Sequence, residues 1–386
     1  VSGTPASIRL PTGALRLSPP ATWSRPVAPL TSRSVYAAVH VIPTVWADTT
    51  PGAPADLDWD ATIAYRREIW SYGLGVAEAM DTAQRGMGLD WATARELIVR
   101  TAAAACDAGG PLVCGVGTDQ LDPSDAPGLD RVADAYREQL AVVREAGAGV
   151  VLMASRQLAR VASSAQDYLR VYRRVLDEVD QPVILHWLGE MFDPALAGYW
   201  GARDTPTATS TVLDLLDSHA AKVAGIKVSL LDAGHEIALR RLLPAGVRLY
   251  TGDDLDYPDL IVGDGTYHSD ALLGIFATIY PAASAAVQAL DAGDEDRAWQ
   301  ILDSTRELGR TIFAAPTRYY KTGIALVSWL NGHQPGFTML DGLHGARPLT
   351  HLVEVFRHAD GAGLLRDPEL AARRMRDLLA VHGWPA

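Results

Sequence analysis

Eight short apolar or β-branched runs recur along the chain with amphipathic stretches between them, and this rhythm limits the possible folds most strongly. The runs cover 36–42, 74–79, 112–116, 149–153, 182–187, 223–228, 247–250 and 260–262. Most are continuously apolar, as strands buried on both faces must be. Between them, 91–105 opens after Asp90 as a helix cap, and 130–146 and 167–178 follow the same pattern. Strands alternating with helices imply parallel pairing through right-handed crossovers. Eight such units suit a closed (β/α)8 TIM barrel, with a doubly wound sheet as the alternative.

A chain of 386 residues leaves room for additions to one barrel. Residues 1–34, rich in Pro, Ser, Thr and Arg, read as an N-terminal arm, and 35–280 as the barrel. Helical patterns at 282–292, 294–313, 322–329 and 368–379 exceed what one closing helix requires. Residues 281–386 are therefore expected to form a C-terminal helical extension packed on the barrel.

A net charge of -12 disfavours nucleic acid and anionic membrane surfaces as partners, since both attract clustered Lys and Arg. No apolar run approaches the roughly 18 residues of a membrane span, and no secretory signal pattern opens the sequence. The only cysteines, Cys106 and Cys114, are too few for a disulfide framework or a thiolate zinc site. The expectation is a cytoplasmic protein, paired through its arm and extra helices as a homo-oligomer. The glycines of Gly73-Leu74-Gly75 lack dinucleotide-loop spacing, and no Walker loop or nucleophile elbow occurs.

Chemistry on such a barrel sits where strands end at their C-terminal edge. Polar residues following the apolar runs include Glu78, Asp81 and Thr82, then Thr118 and Asp119, Ser155 and Arg156, His186 and Glu190. Lys227 and Ser229 follow on the sixth strand, then Asp253 and Asp254, and finally Asp264 and His268. Lys227 stands out within Ala224-Gly225-Ile226-Lys227-Val228-Ser229, an otherwise apolar strand. Burial disfavours an ammonium and yields a free amine able to attack a carbonyl. The competing structural role is an ion pair with Asp253 or Glu78 that closes the barrel.

Gly225-Ile226-Lys227-Val228-Ser229 followed by Tyr250-Thr251-Gly252-Asp253-Asp254 resembles the paired signature of the dihydrodipicolinate synthase and N-acetylneuraminate lyase superfamily. His40-Val41-Ile42-Pro43-Thr44 is similar to its first-strand segment, Gly115-Val116-Gly117 to its third-strand ending. Asp81-Thr82-Ala83-Gln84 falls where the family has a Gly-Thr-Thr-Gly turn. The resemblance implies a lysine that forms an imine with a keto acid.

Departures from the pattern point away from pyruvate. His186 occupies the place of the family's proton-relaying tyrosine, and histidine exchanges protons near neutral pH. Ser155-Arg156-Gln157 replaces the Tyr-Tyr-Asn turn, and the expected substrate-binding arginine falls near Met191. Without its glycines the Asp81–Gln84 backbone approaches a carboxylate less closely. The expected activity is a class I lyase, retro-aldolase or dehydratase, acting without cofactor on a small keto-sugar-like or other carbonyl substrate. Lys227, His186 and Asp253 are its expected catalytic set; Thr82, Ala83, Arg156, Glu190, Asp254 and His268 are the expected substrate binders. Residues 192–208, with Tyr199, Trp200, Arg203 and Asp204, form either a lid or a loop anchored by its own aromatics. Two other readings are a metal-dependent isomerase or hydrolase using His186, Glu190, Asp253, Asp264 and His268, and a non-catalytic ligand-binding barrel.

Overall fold

A computed structural model describes residues 6–122, 124 and 126–384; the extreme ends of the expected arm and extension, 1–5 and 385–386, lie outside the described residues. The arm begins as an antiparallel hairpin, β1 (Ser7–Leu10) and β2 (Gly13–Arg16). Ile8, Leu10 and Leu17 are buried beneath it, and the Asp360 carboxylate accepts from the Ser18 amide at 2.9 Å.

Eight parallel strands then close into a barrel. In chain order the elements are β3 (Val35–Ala38), α1 (Trp59–Ser71), β4 (Gly75–Glu78), α2 (Trp91–Ala108), β5 (Leu112–Val116) and α3 (Leu129–Glu145). There follow β6 (Gly149–Leu152), α4 (Arg156–Val161), α5 (Ala165–Leu176), β7 (Val183–Leu188), α6 (Thr205–His219) and β8 (Val223–Ser229). The circuit ends with α7 (Ala233–Arg240), β9 (Arg248–Thr251), α8 (Tyr257–Val262) and β10 (Asp270–Leu273), which pairs with β3. Asp58, Asp90 and Asp204 cap α1, α2 and α6 by accepting an amide three residues on. The barrel is the doubly covered parallel architecture that the apolar strands require.

The eighth strand differs from expectation. The run 260–262 lies in α8, with Pro258 in its first turn and Leu260 and Ile261 buried against the barrel. A short buried run has the same apolar composition in a helix as in a strand, so periodicity does not separate them. The strand is instead Asp270–Leu273, beyond the eighth expected run.

The extension comprises α9 (Phe276–Asp291), α10 (Glu295–Asp303), α11 (Arg306–Ile312), α12 (Lys321–Leu330), α13 (Leu349–Gly361) and α14 (Pro368–Val381). One apolar cluster joins it to the barrel: Val35, Ala37, Ala271 and Leu273 of the strands share a core with Ile279, Ile312, Ile324 and Phe356. The extension therefore continues the barrel's packing rather than sitting apart from it. Among the described residues no helix is long and apolar enough to cross a membrane.

Glu78, at the end of β4, is consumed by structure. Its two oxygens accept from Arg66 Nε at 2.6 Å and Nη2 at 2.9 Å, and Thr101 Oγ1 donates to it at 2.8 Å. Both members of the pair are fully buried. Arg66 also donates to the His40 carbonyl at 2.8 Å, so the clasp ties α1, α2 and the first two barrel strands together. Arg66→Met is expected to cost about 3–5 kcal/mol, because a buried carboxylate is left without its counter-charge. Urea unfolding followed by circular dichroism measures this, and an unchanged midpoint would refute it.

Candidate active site

Lys227 lies near the C-terminal end of β8, directly opposite His186 of β7 in the parallel register. Only 5% of it is exposed. Gly252, at the end of β9, makes room for it: a Cβ there would sit 3.0 Å from Lys227 Cε and 2.7 Å from the Val228 carbonyl oxygen. The small residue after β9 is thus a steric condition for the lysine. Burial lowers the Lys227 pKa, and the carboxylates of Asp81 and then Asp254 oppose that shift.

Neither residue first considered as its ion-pair partner takes that role. Glu78 belongs to Arg66, and Asp253 turns back on its own loop, where Oδ1 accepts from the amides of Leu255 at 2.8 Å and Asp256 at 3.0 Å. The carboxylate next along, Asp254, acts on the lysine instead. Asp254 is buried, and Oδ1 accepts from the Ile275 amide at 2.7 Å, tying the site to the start of α9. Burial pushes its pKa well up.

His186 Nε2 lies 3.1 Å from Ser229 Oγ, and its buried Nδ1 has no hydrogen-bond partner. Burial first, and then the Lys227 charge, drive its pKa well below the usual histidine value, so the ring is neutral at pH 7. A neutral imidazole beside an amine can accept a proton.

Asp81 is the electrostatic centre of the site. It sits in a short turn after β4, where burial works against ionisation, but Lys321, Lys227 and His186 hold its pKa below the usual carboxylate value. Tyr320 Oη donates to Asp81 Oδ2 at 2.8 Å, and Thr82 Oγ1 lies 2.6 Å from the same phenol oxygen. With the phenol proton directed to Asp81, the Thr82 hydroxyl donates to Tyr320. Thr82, Tyr320 and Asp81 thus form one hydrogen-bond chain ending beside the lysines.

A cavity of about 190 Å³ opens at this end of the barrel. Asp81 and His186 line its floor; Thr118, Ser155, Gln157 and Met153 form one wall, and Phe192, Leu196 and Lys321 another. The hydroxyl wall is ordered: Thr118 Oγ1 donates to Gln157 Oε1 at 2.7 Å and lies 2.6 Å from Ser155 Oγ, which also accepts from the Leu158 amide at 2.9 Å.

Of the other residues singled out in the sequence, Arg156 lines the cavity and pairs with Asp193. Thr82 is engaged by Tyr320, and Ala83 is buried in the barrel's packing. Glu190 is exposed on the loop after β7 and outside the cavity. His268 and Asp264 precede the true eighth strand and so fall away from the mouth. His268 borders a surface hollow with Val247 and Arg248, at the start of β9, and Asp264 pairs with Arg240 and Arg241. The residues considered for a metal are therefore not gathered at one point, and among the described residues no group of three or more His, Cys, Asp or Glu is arranged to hold one.

The 192–208 stretch divides. Phe192, Asp193 and Leu196 border the cavity, while Tyr199 and Trp200 are buried against Tyr168 and Tyr172 of α5. Tyr320 and Lys321 were missed by the sequence reading, because they enter from the helical extension. One signal was present: Lys321 is a lone charge opening an apolar helix, at the end where the helix dipole disfavours a cation.

Removing the Asp81 carboxylate has a signed consequence. Burial holds Lys321 down to about 8, and Asp81 is the largest influence raising it. In Asp81→Asn both lysine pKa values should fall further, so the free-amine fraction at pH 7 rises, by about fivefold for the first unit lost at Lys321. Acetic anhydride labelling at pH 7, read by peptide mass mapping, should accelerate at Lys321; an unchanged rate would contradict the assigned role of Asp81.

Comparison with known proteins agrees with the architecture. Dihydrodipicolinate synthase from Oceanobacillus iheyensis superposes with a TM-score of 0.63 at 14% identity, covering 85% of this chain and 95% of that one. The Thermotoga maritima enzyme gives 0.64 at 13% identity, with 86% and 99% covered. The Acinetobacter baumannii enzyme, complexed with pyruvate, gives 0.63 at 16%, with 86% and 100% covered. At such identities the likeness establishes the fold. No curated protein matches the chain. The family described as "Protein of unknown function (DUF993)" matches residues 9–384, and the chain belongs to that family.

Proposed function

We propose that this protein is a class I lyase, a retro-aldolase or dehydratase, that binds its carbonyl substrate as an imine on Lys227. The observation that carries the reading is a buried lysine at the sixth strand's end, paired in register with a neutral histidine and acted on by the Asp81 carboxylate, both of which line a cavity. Burial favours the amine form that attacks a carbonyl carbon. Loss of water from the resulting carbinolamine gives a protonated imine. That cation accepts the electron pair released when the adjacent carbon–carbon bond breaks or when a proton leaves the adjacent carbon.

His186 is the base in this scheme. It takes the proton from the cleaved hydroxyl or from the carbon beside the imine, and Ser229 orients its ring through Nε2. The Thr82–Tyr320–Asp81 chain passes protons to and from the departing water. Asp81 carries the charge that balances the iminium.

The hydroxyl and amide wall of Thr118, Ser155 and Gln157 supports a polyol-derived carbonyl compound such as a keto sugar. The turn Asp81–Ala83 supports the same choice: Thr82, where the barrel's pyruvate-handling relatives bind a carboxylate by resemblance, is committed to Tyr320.

Borohydride reduction in the presence of keto sugars and keto acids tests the reading. A permanent mass increase at Lys227 is expected from at least one compound, absent in Lys227→Ala. His186→Asn should keep the adduct while slowing turnover by about 10²–10⁴. An absence of adduct from every compound would refute the imine.

A further inference from the structure

The cavity is lined by six charged side chains: Asp81, Arg85, Asp119, Arg156, Asp193 and Lys321. Five of them are committed. The Arg85 guanidinium is bound by Asp119, by Gln139 Oε1 at 2.8 Å and by the Gly115 carbonyl at 2.9 Å. Arg156 is paired with Asp193, and Asp81 accepts from Tyr320. Lys321 is the exception. It is 3% exposed, yet among the described residues its ammonium hydrogen-bonds only to the Met87 sulfur at 3.7 Å and the Arg318 carbonyl at 3.4 Å, with the Tyr320 ring 4.4 Å away.

A cation in that position is doubly unfavourable. Burial is only partly offset by the charges of Asp81 and Asp193, and Lys321 opens α12, where the helix dipole favours negative charge. Both costs are relieved by an anion on the cavity side of Lys321, reached by the ammonium and lying near the helix N-terminus.

We propose that the substrate carries an anionic group, a carboxylate or a phosphate, and that Lys321 holds it while the carbonyl lies over Lys227. The inference rests on the imine reading for the place of the carbonyl, and on Lys321 alone for the place of the charge. Its geometry differs from a carboxylate held next to the carbonyl: Lys321 enters from the extension, outside the barrel strands that present Lys227 and His186. The hydroxyl wall of Thr118 and Ser155 then lies along the same cavity, so the fitting ligand is an acidic or phosphorylated keto sugar.

The groups acting on Lys321 set the pH range. Asp81 after β4 and Asp193 after β7 stabilise its charge, while Arg156 of α4 and Arg318 ahead of α12 oppose it; burial exceeds them all and places the pKa at about 8. The ammonium is present below that value, so preference for anions should be full near pH 7 and fade as pH rises past 8.

Matched carbonyl probes test this: dihydroxyacetone against dihydroxyacetone phosphate, and fructose against 5-ketogluconate. In the full chain, the anionic member of a pair should half-saturate borohydride trapping at Lys227 at about tenfold lower concentration. Comparing the two pairs separates phosphate from carboxylate. Lys321→Met should abolish the difference between the two members of a pair, and Lys321→Arg should restore part of it. Equal half-saturation within both pairs, a preference that survives Lys321→Met, or an adduct on Lys321 itself would overturn the proposal.

A second readout is independent of the imine. Inorganic phosphate and the anionic ketones should protect Lys321 from acetic anhydride in the Lys227→Ala chain, where the neutral ketones do not. If this protection is seen and no probe forms an adduct in the unmutated chain, the imine reading fails and the anion site stands. If adducts form and protection is absent, the anion site fails and the imine stands. The protection experiment also decides the matter if Lys321→Met does not fold.

Discussion

Holding a lysine inside an apolar barrel is the constraint on which the rest of the site depends. An ammonium buried without compensation would cost more than a domain's whole stability, so the surroundings must either neutralise it or lower its pKa. This protein does both. Asp81 faces Lys227 with negative charge, and burial biases the group toward the amine. The two carboxylates are not equivalent: Asp81 is kept ionised by the lysines around it, while burial drives Asp254 toward its protonated form. Two neighbouring carboxyl groups thus have pKa values pushed apart by their surroundings.

The helical extension turns this electrostatic arrangement into a cavity. Tyr320 donates to Asp81 and orders Thr82, and the Phe313 and Tyr320 rings stack at 4.3 Å behind the wall that Phe192 completes. Lys321, one residue on, brings the remaining cation. The apolar core shared by α9–α13 and the first and last barrel strands fixes where these two residues enter. Extension packing and site chemistry are therefore one problem: loosening the core near Phe313 would move Tyr320 away from Asp81.

Much of this was legible in the chain. Seven of the eight strands followed from continuous apolar runs, since a strand covered on both faces has no polar alternation to hide. Lys227 was visible because a charge in such a run has few explanations. The eighth strand was not, because 260–262 and 270–273 are both short and apolar, and only closure of the barrel against β3 selects the second. That shift of about one element carried His268 and Asp264 to the far side of the mouth. Asp253 and Asp254 illustrate the same limit at smaller scale: adjacent carboxylates in one turn point in different directions, and local hydrogen bonds to Leu255, Asp256 and Ile275 decide which one faces the lysine.

The amino-acid order by itself determined the barrel, the strand that bears Lys227 and the presence of His186 on the strand before it. These depend on periodicity and on residue type at a strand's end, which are local properties. Tertiary structure alone decided that Asp81 is the shared counter-charge, that Glu78 belongs to Arg66, and that Tyr320, 239 residues beyond Asp81, and Lys321 after it complete the site. Electrostatic partnership depends on distance and burial, and neither is encoded in the spacing of residues along the chain.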